Sequence, residues 1–145
     1  MAASDLEVLE QELAYLARAL EAIQRKRRYP LDRALYLLLR LLGREGPQPV
    51  AAIAEALLLD ASTVTRQVDA LAGQGLVERI RNPGDRRSIL VEVTEAGREM
   101  AATMRDMRLG RIALLFGEWD IEARGEFAEG LARLNATLRR SILED

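Results

Sequence analysis

Two residue types are missing altogether: the chain has neither cysteine nor histidine. Without thiols there is no disulfide, no thiol redox sensor and no cysteine nucleophile. Without imidazole as well, zinc, copper and haem sites lose nearly all their usual ligands, and general acid–base chemistry loses its commonest agent. No cofactor, no metal site and no catalytic residue is expected. Gly-x-Gly-x-x-Gly and Gly-Lys-Ser/Thr loops are absent too, and the acids are scattered along helical faces that read as exposed. Long apolar runs are lacking, so no transmembrane helix is expected. The opening Met1-Ala2-Ala3-Ser4-Asp5-Leu6-Glu7 has no basic stretch leading into an apolar one, unlike a secretory signal. The expectation is a cytoplasmic chain with no membrane partner.

Of the 145 residues, 49% are apolar, enough to build a core in one domain or in two small, tightly joined lobes. Lysine is nearly absent: Lys26 is the only one, and every other basic residue is arginine. Arginine suits bidentate contacts to phosphate and guanine, although GC-rich coding produces the same bias. The formal net charge is −2, which by itself speaks against nucleic acid as a partner. Phosphate responds to local charge, however, and the arginines cluster. Arg25-Lys26-Arg27-Arg28 is one group. Arg79, Arg81, Arg86 and Arg87 form another, with Glu-free sequence between 79 and 87 and Asp85 as its one acid.

Periodicity organises the chain. Leu6, Leu9, Leu13, Leu16, Leu20 and Ile23 alternate spacings of three and four, which predicts a helix over 5–28 with a coiled-coil-like stripe. Tyr29-Pro30 stops it. A leucine-rich helix over 32–44 follows, closed by Gly43 and Gly46-Pro47-Gln48-Pro49. Val50 to Leu58 reads as a third helix. Asp60 is a good N-cap for a fourth over 61–73. Leu76 to Ile80 and Ser88 to Val93 alternate like strands, with the turn Asn82-Pro83-Gly84-Asp85 between them. Thr94 caps a long helix over 95–117 that carries Met100, Met104 and Met107 on one face. Asp120 caps a last helix to about 143, with Phe127, Leu131, Leu134, Leu138 and Ile142 again at three-four spacing. Trp119, near its start, reads as packing. The fold class is thus mainly α with a small β-hairpin (α+β). A lone amphipathic helix cannot bury such a stripe without a partner, so pairing of the terminal helices within an intertwined dimer is the economical arrangement.

The segment from helix three to helix four has the form of a helix-turn-helix. Val64, Val68 and Leu71 share one face of helix four with Ala61, while the opposite face centres on Arg66, flanked by Ser62, Thr63 and Ala70. A recognition helix needs that split: one side docks on its neighbour, while hydroxyls and an arginine enter the major groove, where arginine pairs with guanine. The alternative is a plain helical hairpin with a polar surface. The strand-turn-strand that follows directly has the place of a wing. Arginine at a loop tip suits the negative potential of a narrow minor groove, whereas an isolated Arg-Arg pair would be an ordinary solvated turn.

These residues resemble the core of the MarR family of transcriptional regulators. The resemblance rests on Ser62-Thr63-Val64-Thr65-Arg66-Gln67-Val68-Asp69-Ala70-Leu71, on Gly75-Leu76-Val77-Glu78-Arg79, on Asp85-Arg86-Arg87, and on Val93-Thr94-Glu95-Ala96-Gly97, where valine replaces the family's usual leucine. The flanking helices match in length and order, so the likeness covers essentially 1–145. It implies a winged helix-turn-helix lobe over 31–94 and a helical dimerisation lobe over 5–30 and 95–143. It also implies a homodimer that reads a pseudo-palindromic operator in double-stranded DNA, as a repressor, with recognition helices in successive major grooves.

The DNA contacts expected are Ser62, Thr63, Thr65, Arg66, Gln67, Arg79, Arg86 and Arg87. Arg86 is the residue expected in the minor groove. The resemblance further implies that Arg87 braces the wing by pairing with Asp60, and Asp85 is expected to hold the turn. Regulators of this family are often released from DNA by a small aromatic or phenolic effector. Tyr15, Arg18, Tyr36 and Met104 are the candidates to bind one here, and core or interface packing is their alternative role. The Arg25–Arg28 cluster either touches the DNA backbone or complements its helix dipole. The competing function is a winged-helix protein-interaction module with no DNA target, which the acidic net charge would suit. Salt-dependent binding to duplex DNA separates the two.

Overall fold

The elements run α1 (Ala2–Lys26), α2 (Arg33–Glu45), α3 (Val50–Leu57), α4 (Ala61–Gly73), β1 (Val77–Asn82), β2 (Asp85–Val93), α5 (Glu95–Leu115) and α6 (Ile121–Glu144). This is a computed structural model, and it describes residues 2–26 and 28–144. Arg27 of the basic cluster, and Met1 and Asp145 at the ends, lie outside the described residues. The fold is mainly helical with one antiparallel hairpin, as the periodicity implies.

The chain divides into two units, Met1–Arg33 and Ala34–Asp145. The first is built on α1. Its stripe of Leu6, Leu9, Leu13, Leu16, Leu20 and Ile23 is exposed along its whole length. Arg25 and Lys26 occupy its last turn, where positive charge complements the helix dipole.

The second unit holds the core. Tyr36, Leu38, Leu39 and Leu42 of α2 are buried with Ile53 of α3 and with Val64, Val68 and Leu71 of α4. Fully burying a side chain of this size stabilises the fold by roughly 1.5–3 kcal/mol. The stripe of α4 is as the spacing predicts, except that Ala61 is exposed. It opens the helix directly after the cap, ahead of the turns that are covered. Leu76, Val77, Val91 and Val93 close the core from the hairpin, and Met104 closes it from α5.

Three local devices fix the order of these elements. The turn after α3 passes through Leu58, whose φ of 58° is left-handed. The amide of Leu59 donates to the Ala54 carbonyl at 2.9 Å to close the helix end. Gln48, held between two prolines, forms an isolated bridge with Val91: its amide donates to the Val91 carbonyl at 3.1 Å, and the Val91 amide donates back at 2.7 Å. The segment before α3 is thereby pinned to the hairpin, a pairing that periodicity does not reveal. Finally, the Thr94 hydroxyl donates to the Gly75 carbonyl at 2.7 Å and accepts from the Gly97 amide at 3.1 Å. One side chain caps α5 and ties it to the end of α4.

Both strands run further toward the tip than alternation predicts, leaving Pro83-Gly84 as the turn. The unpaired tip amides are taken up locally. The Gly84 amide donates to Asn82 Oδ1 at 3.0 Å, and the Arg87 amide donates to Asp85 Oδ1 at 3.0 Å. At the far end of the second unit, Phe116, Trp119 and Phe127 stack at the α5–α6 corner with ring centroids 4.9–5.8 Å apart. Trp119 is a packing residue, as expected. Along α6 no described residue is buried, and Phe127, Leu131, Leu138 and Ile142 stay exposed.

Candidate nucleic-acid interface

Helix α4 starts where Asp60 stops the preceding turn. Its Oδ1 accepts from the Thr63 amide at 2.7 Å and from the Ser62 hydroxyl at 2.7 Å. The Ser62 hydroxyl, then the Thr63 amide and hydroxyl, and finally the Arg66 charge hold the Asp60 carboxyl down at about 2, against an ordinary 3.8. The cap is therefore ionised at neutral pH. Arg66 lies along the exposed face and donates to Thr63 Oγ1 at 3.3 Å, and the Thr65 hydroxyl donates back to the Ala61 carbonyl at 2.9 Å. Ser62, Thr65, Arg66 and Ala70 are exposed, while Thr63 and Gln67 are half-buried. The Gln67 Oε1 atom is buried with no hydrogen-bond partner. Arg66 sits centrally on that face, as expected.

The hairpin register explains the shape of its tip. Arg79 faces Val91, Ile80 faces Leu90 and Arg81 faces Ile89, but the next pair is Asn82 with Asp85. Arg86, Arg87 and Ser88 therefore face no residue of β1. They form a bulge on one strand, which re-aims side chains. Arg86 and Arg87 are exposed there. Asp85 holds the turn as expected, by accepting the Arg87 amide.

The expected ion pair between Arg87 and Asp60 is absent. Both Asp60 bonds go to Ser62 and Thr63, inside its own helix cap. A different pair joins α4 to the hairpin: Arg79 Nη2 to Asp69 Oδ1. Arg79, expected to contact DNA, is thus engaged by a carboxylate of the fourth helix. Arg81 is the residue that the expected contacts omit. It is exposed on β1 beside the bulge, and its signal was its place in the arginine cluster. Among the described residues, Arg66, Arg81, Arg86 and Arg87 form no ion pair with a carboxylate.

The effector candidates separate. Tyr15 and Arg18 are exposed on α1, in the first unit. Met104 is fully buried and belongs to the core. Tyr36 is nearly buried, with the Arg108 guanidinium 5.2 Å from its ring centroid. Its ring lines a cleft of about 230 Å³ in the second unit, together with Leu39, Arg40, Val93, Arg98 and Arg105. Among the described residues, no cluster of three or more carboxylates could hold a metal ion, and no helix is long and apolar enough to cross a membrane.

A short helix, a tight turn, a second helix with one polar face, and then a hairpin with a displayed basic tip define a winged helix-turn-helix DNA-binding protein. The MarR family model matches residues 31–89. The uncharacterised HTH-type transcriptional regulator YxaD of Bacillus subtilis (strain 168) is 36% identical over 132 residues, covering 90% of this chain and 92% of that protein. The chain belongs to the MarR family of transcriptional regulators. A MarR family protein from Bacillus stearothermophilus has the same fold, with a TM-score of 0.79 at 24% identity over 95% of this chain and 98% of that one. So does BpsR of Bordetella bronchiseptica, whose DNA binding is regulated by 6-hydroxynicotinic acid. It has a TM-score of 0.70 at 24% identity, covering 86% of this chain and 98% of that one. The family and these relatives are transcriptional regulators and not enzymes.

Proposed function

We propose that the chain represses transcription as a homodimer on a pseudo-palindromic operator. Residues 31–94 would form the reader, and 5–30 with 95–143 the dimerising part. The observation that carries this reading is the bulge at Arg86-Arg87-Ser88, which exposes two arginines near the hairpin tip, on the wing that follows α4 and its exposed polar face. Ser62, Thr65 and Arg66 would enter the major groove, with Thr63 and Gln67 at the edge of that contact. Arg86 would enter the minor groove, and Arg87 would meet the phosphate backbone. Uncovered apolar residues on α1 and α6 support the dimer, because faces of this kind are buried in an assembled protein.

Release by a small molecule is the last element of the reading. The cleft beside Tyr36 presents an almost wholly apolar surface, with Arg40, Arg98 and Arg105 among its lining residues, which suits an aromatic ligand. That a protein of the same fold responds to 6-hydroxynicotinic acid supports the class of ligand. The test is selection of bound duplexes from a random pool, followed by titration of the recovered sequence with wild type and Arg86→Ala at several salt concentrations. A recovered palindrome and weaker binding by the folded variant are expected. Wild-type binding with no salt dependence would overturn the reading in favour of a protein-interaction module.

A further inference from the structure

Helix α3 ends where Leu58 turns left-handed, and its last carbonyls are closed in two different ways. The amides of Leu59 and Leu58 close on the Ala54 and Glu55 carbonyls at 2.9 and 3.4 Å. In a continuing helix the Ala56 carbonyl would meet the amide four residues on, that of Asp60, but Asp60 is already extended as the cap of α4. The Ala56 carbonyl accepts instead from Arg139 Nη2 of α6 at 2.8 Å, across 83 residues of chain. A cation complements the negative end of a helix, and a charged donor makes the stronger hydrogen bond. Close packing does not set this spacing. No described residue of α6 is buried, and Ala132, Asn135 and Arg139 of α6 line an open cleft of about 1070 Å³ with Ala52, Ala56 and Leu57 of α3. Both helices present alanine to that cleft, and the Arg139 side chain spans it.

We infer that Arg139 is a positioning residue of the DNA reader: from α6 it closes the end of α3, and so fixes the turn that sets where α4 begins. This rests on the reading of α4 as the recognition helix. Arg139 acts through the Ala56 carbonyl and need not touch DNA itself. The turn consists of Leu58, Leu59 and Asp60, between the end of α3 at Leu57 and the start of α4 at Ala61. Freedom at its first residue therefore passes directly to the exposed face of α4. Without Arg139 the Ala56 carbonyl turns to water, and α4 samples orientations that do not fit a groove. Contacts to base edges need one orientation, whereas phosphate contacts carry no sequence information and are offered by every duplex. Loss of Arg139 thus falls on the operator and spares DNA of unrelated sequence.

The test compares Arg139→Ala, Arg139→Lys and Arg140→Ala in the full chain, on the selected operator and on a random duplex, across a salt series. Arg140 stands next on α6 and donates to Thr137 Oγ1 of its own helix at 3.5 Å, so its loss removes the same charge from the same helix. Arg139→Ala should weaken operator binding about three- to tenfold, the factor by which the competent fraction of the reader falls. Its affinity for the random duplex and its salt slope should stay at the wild-type values, because no phosphate contact is lost. Arg139→Lys, whose ammonium also donates to a carbonyl, should recover most of the operator affinity, and Arg140→Ala should match wild type. In the free protein, hydrogen exchange of the Leu58 and Leu59 amides should quicken in Arg139→Ala. The inference is overturned if Arg139→Ala binds the operator like wild type, if the random duplex is weakened equally, if Arg139→Lys is as weak as Arg139→Ala, if Arg140→Ala reproduces the loss, or if the exchange rates do not change. A wild-type chain without salt-dependent affinity for duplex would instead overturn the DNA reading, and this inference with it, whatever the exchange rates show. Circular dichroism of each variant confirms that folded proteins are compared.

Discussion

Gly97 of α5 packs so closely on Leu76 that a Cβ at position 97 would stand 2.1 Å from the Leu76 carbonyl oxygen and 2.7 Å from Val93 Cγ2. Neither neighbour can yield freely, since one is backbone and the other belongs to the core strand. Gly97→Ala should therefore push the start of α5 off the hairpin. Overpacking of this kind costs about 1–3 kcal/mol or more. For a chain of this length it should lower the thermal midpoint by several degrees. An unchanged melting curve for Gly97→Ala would show that α5 can shift without loss.

Leu58 carries the turn of the helix-turn-helix in a left-handed conformation, with φ 58° and ψ 43°. A γ-branched side chain tolerates that region poorly, and a β-branched one tolerates it worse. Leu58→Ile keeps volume and hydrophobicity nearly constant, so it isolates the backbone effect. A destabilisation of about 1–2 kcal/mol is expected in urea unfolding, with an unchanged m-value. Equal midpoints for the two proteins would mean that the turn stores no strain.

Legibility in the sequence follows the range of the interaction. Asp60, Thr94 and Asp120 can all be read as caps, because a cap joins a side chain to an amide three residues on. The stripe Val64, Val68, Leu71 is legible for the same reason. The bridge between Gln48 and Val91 joins segments far apart in the chain, and no local pattern encodes it. Strand alternation finds β1 and β2 but not the bulge at Arg86–Ser88, because register is set by which residues pair across the turn. The Asp60–Arg87 pair, taken from resemblance, fails on competition. A cap carboxylate with two donors two and three residues away has no need of a distant arginine, while Asp69 and Arg79 meet across the α4–β1 connection.

The Asp60 carboxyl should titrate far below its usual range, near 2 rather than 3.8. Its folded value is depressed, so the stability it contributes is complete above the ordinary value and is lost as the pH falls toward 2. Across neutral pH its contribution is flat. Removing the largest cause with Ser62→Ala should move the Asp60 value upward, still below 3.8 because the Thr63 amide remains. Carboxyl carbon shifts followed by NMR through acid titration measure this directly. No movement on Ser62→Ala would show that Thr63 and Arg66 set the value without the Ser62 hydroxyl.

Arg66 and Arg81 should fail in different ways when removed. Arg66 is central on the exposed face of α4, where a guanidinium can bond two acceptors of one guanine. Its loss should cost about 1–3 kcal/mol on the selected operator and relax preference at a single position in each half-site. It should hardly change binding to unrelated duplexes. Arg81 stands on β1 beside the bulge and has no carboxylate partner among the described residues, which suits the phosphate backbone. Arg81→Ala should weaken operator and random duplex alike and make the salt slope shallower by about 0.9. The two variants therefore separate base reading from backbone positioning on one protein surface. If both lose affinity equally on every sequence, the exposed face of α4 does not read bases, and sequence preference must come from the shape and deformability of the DNA.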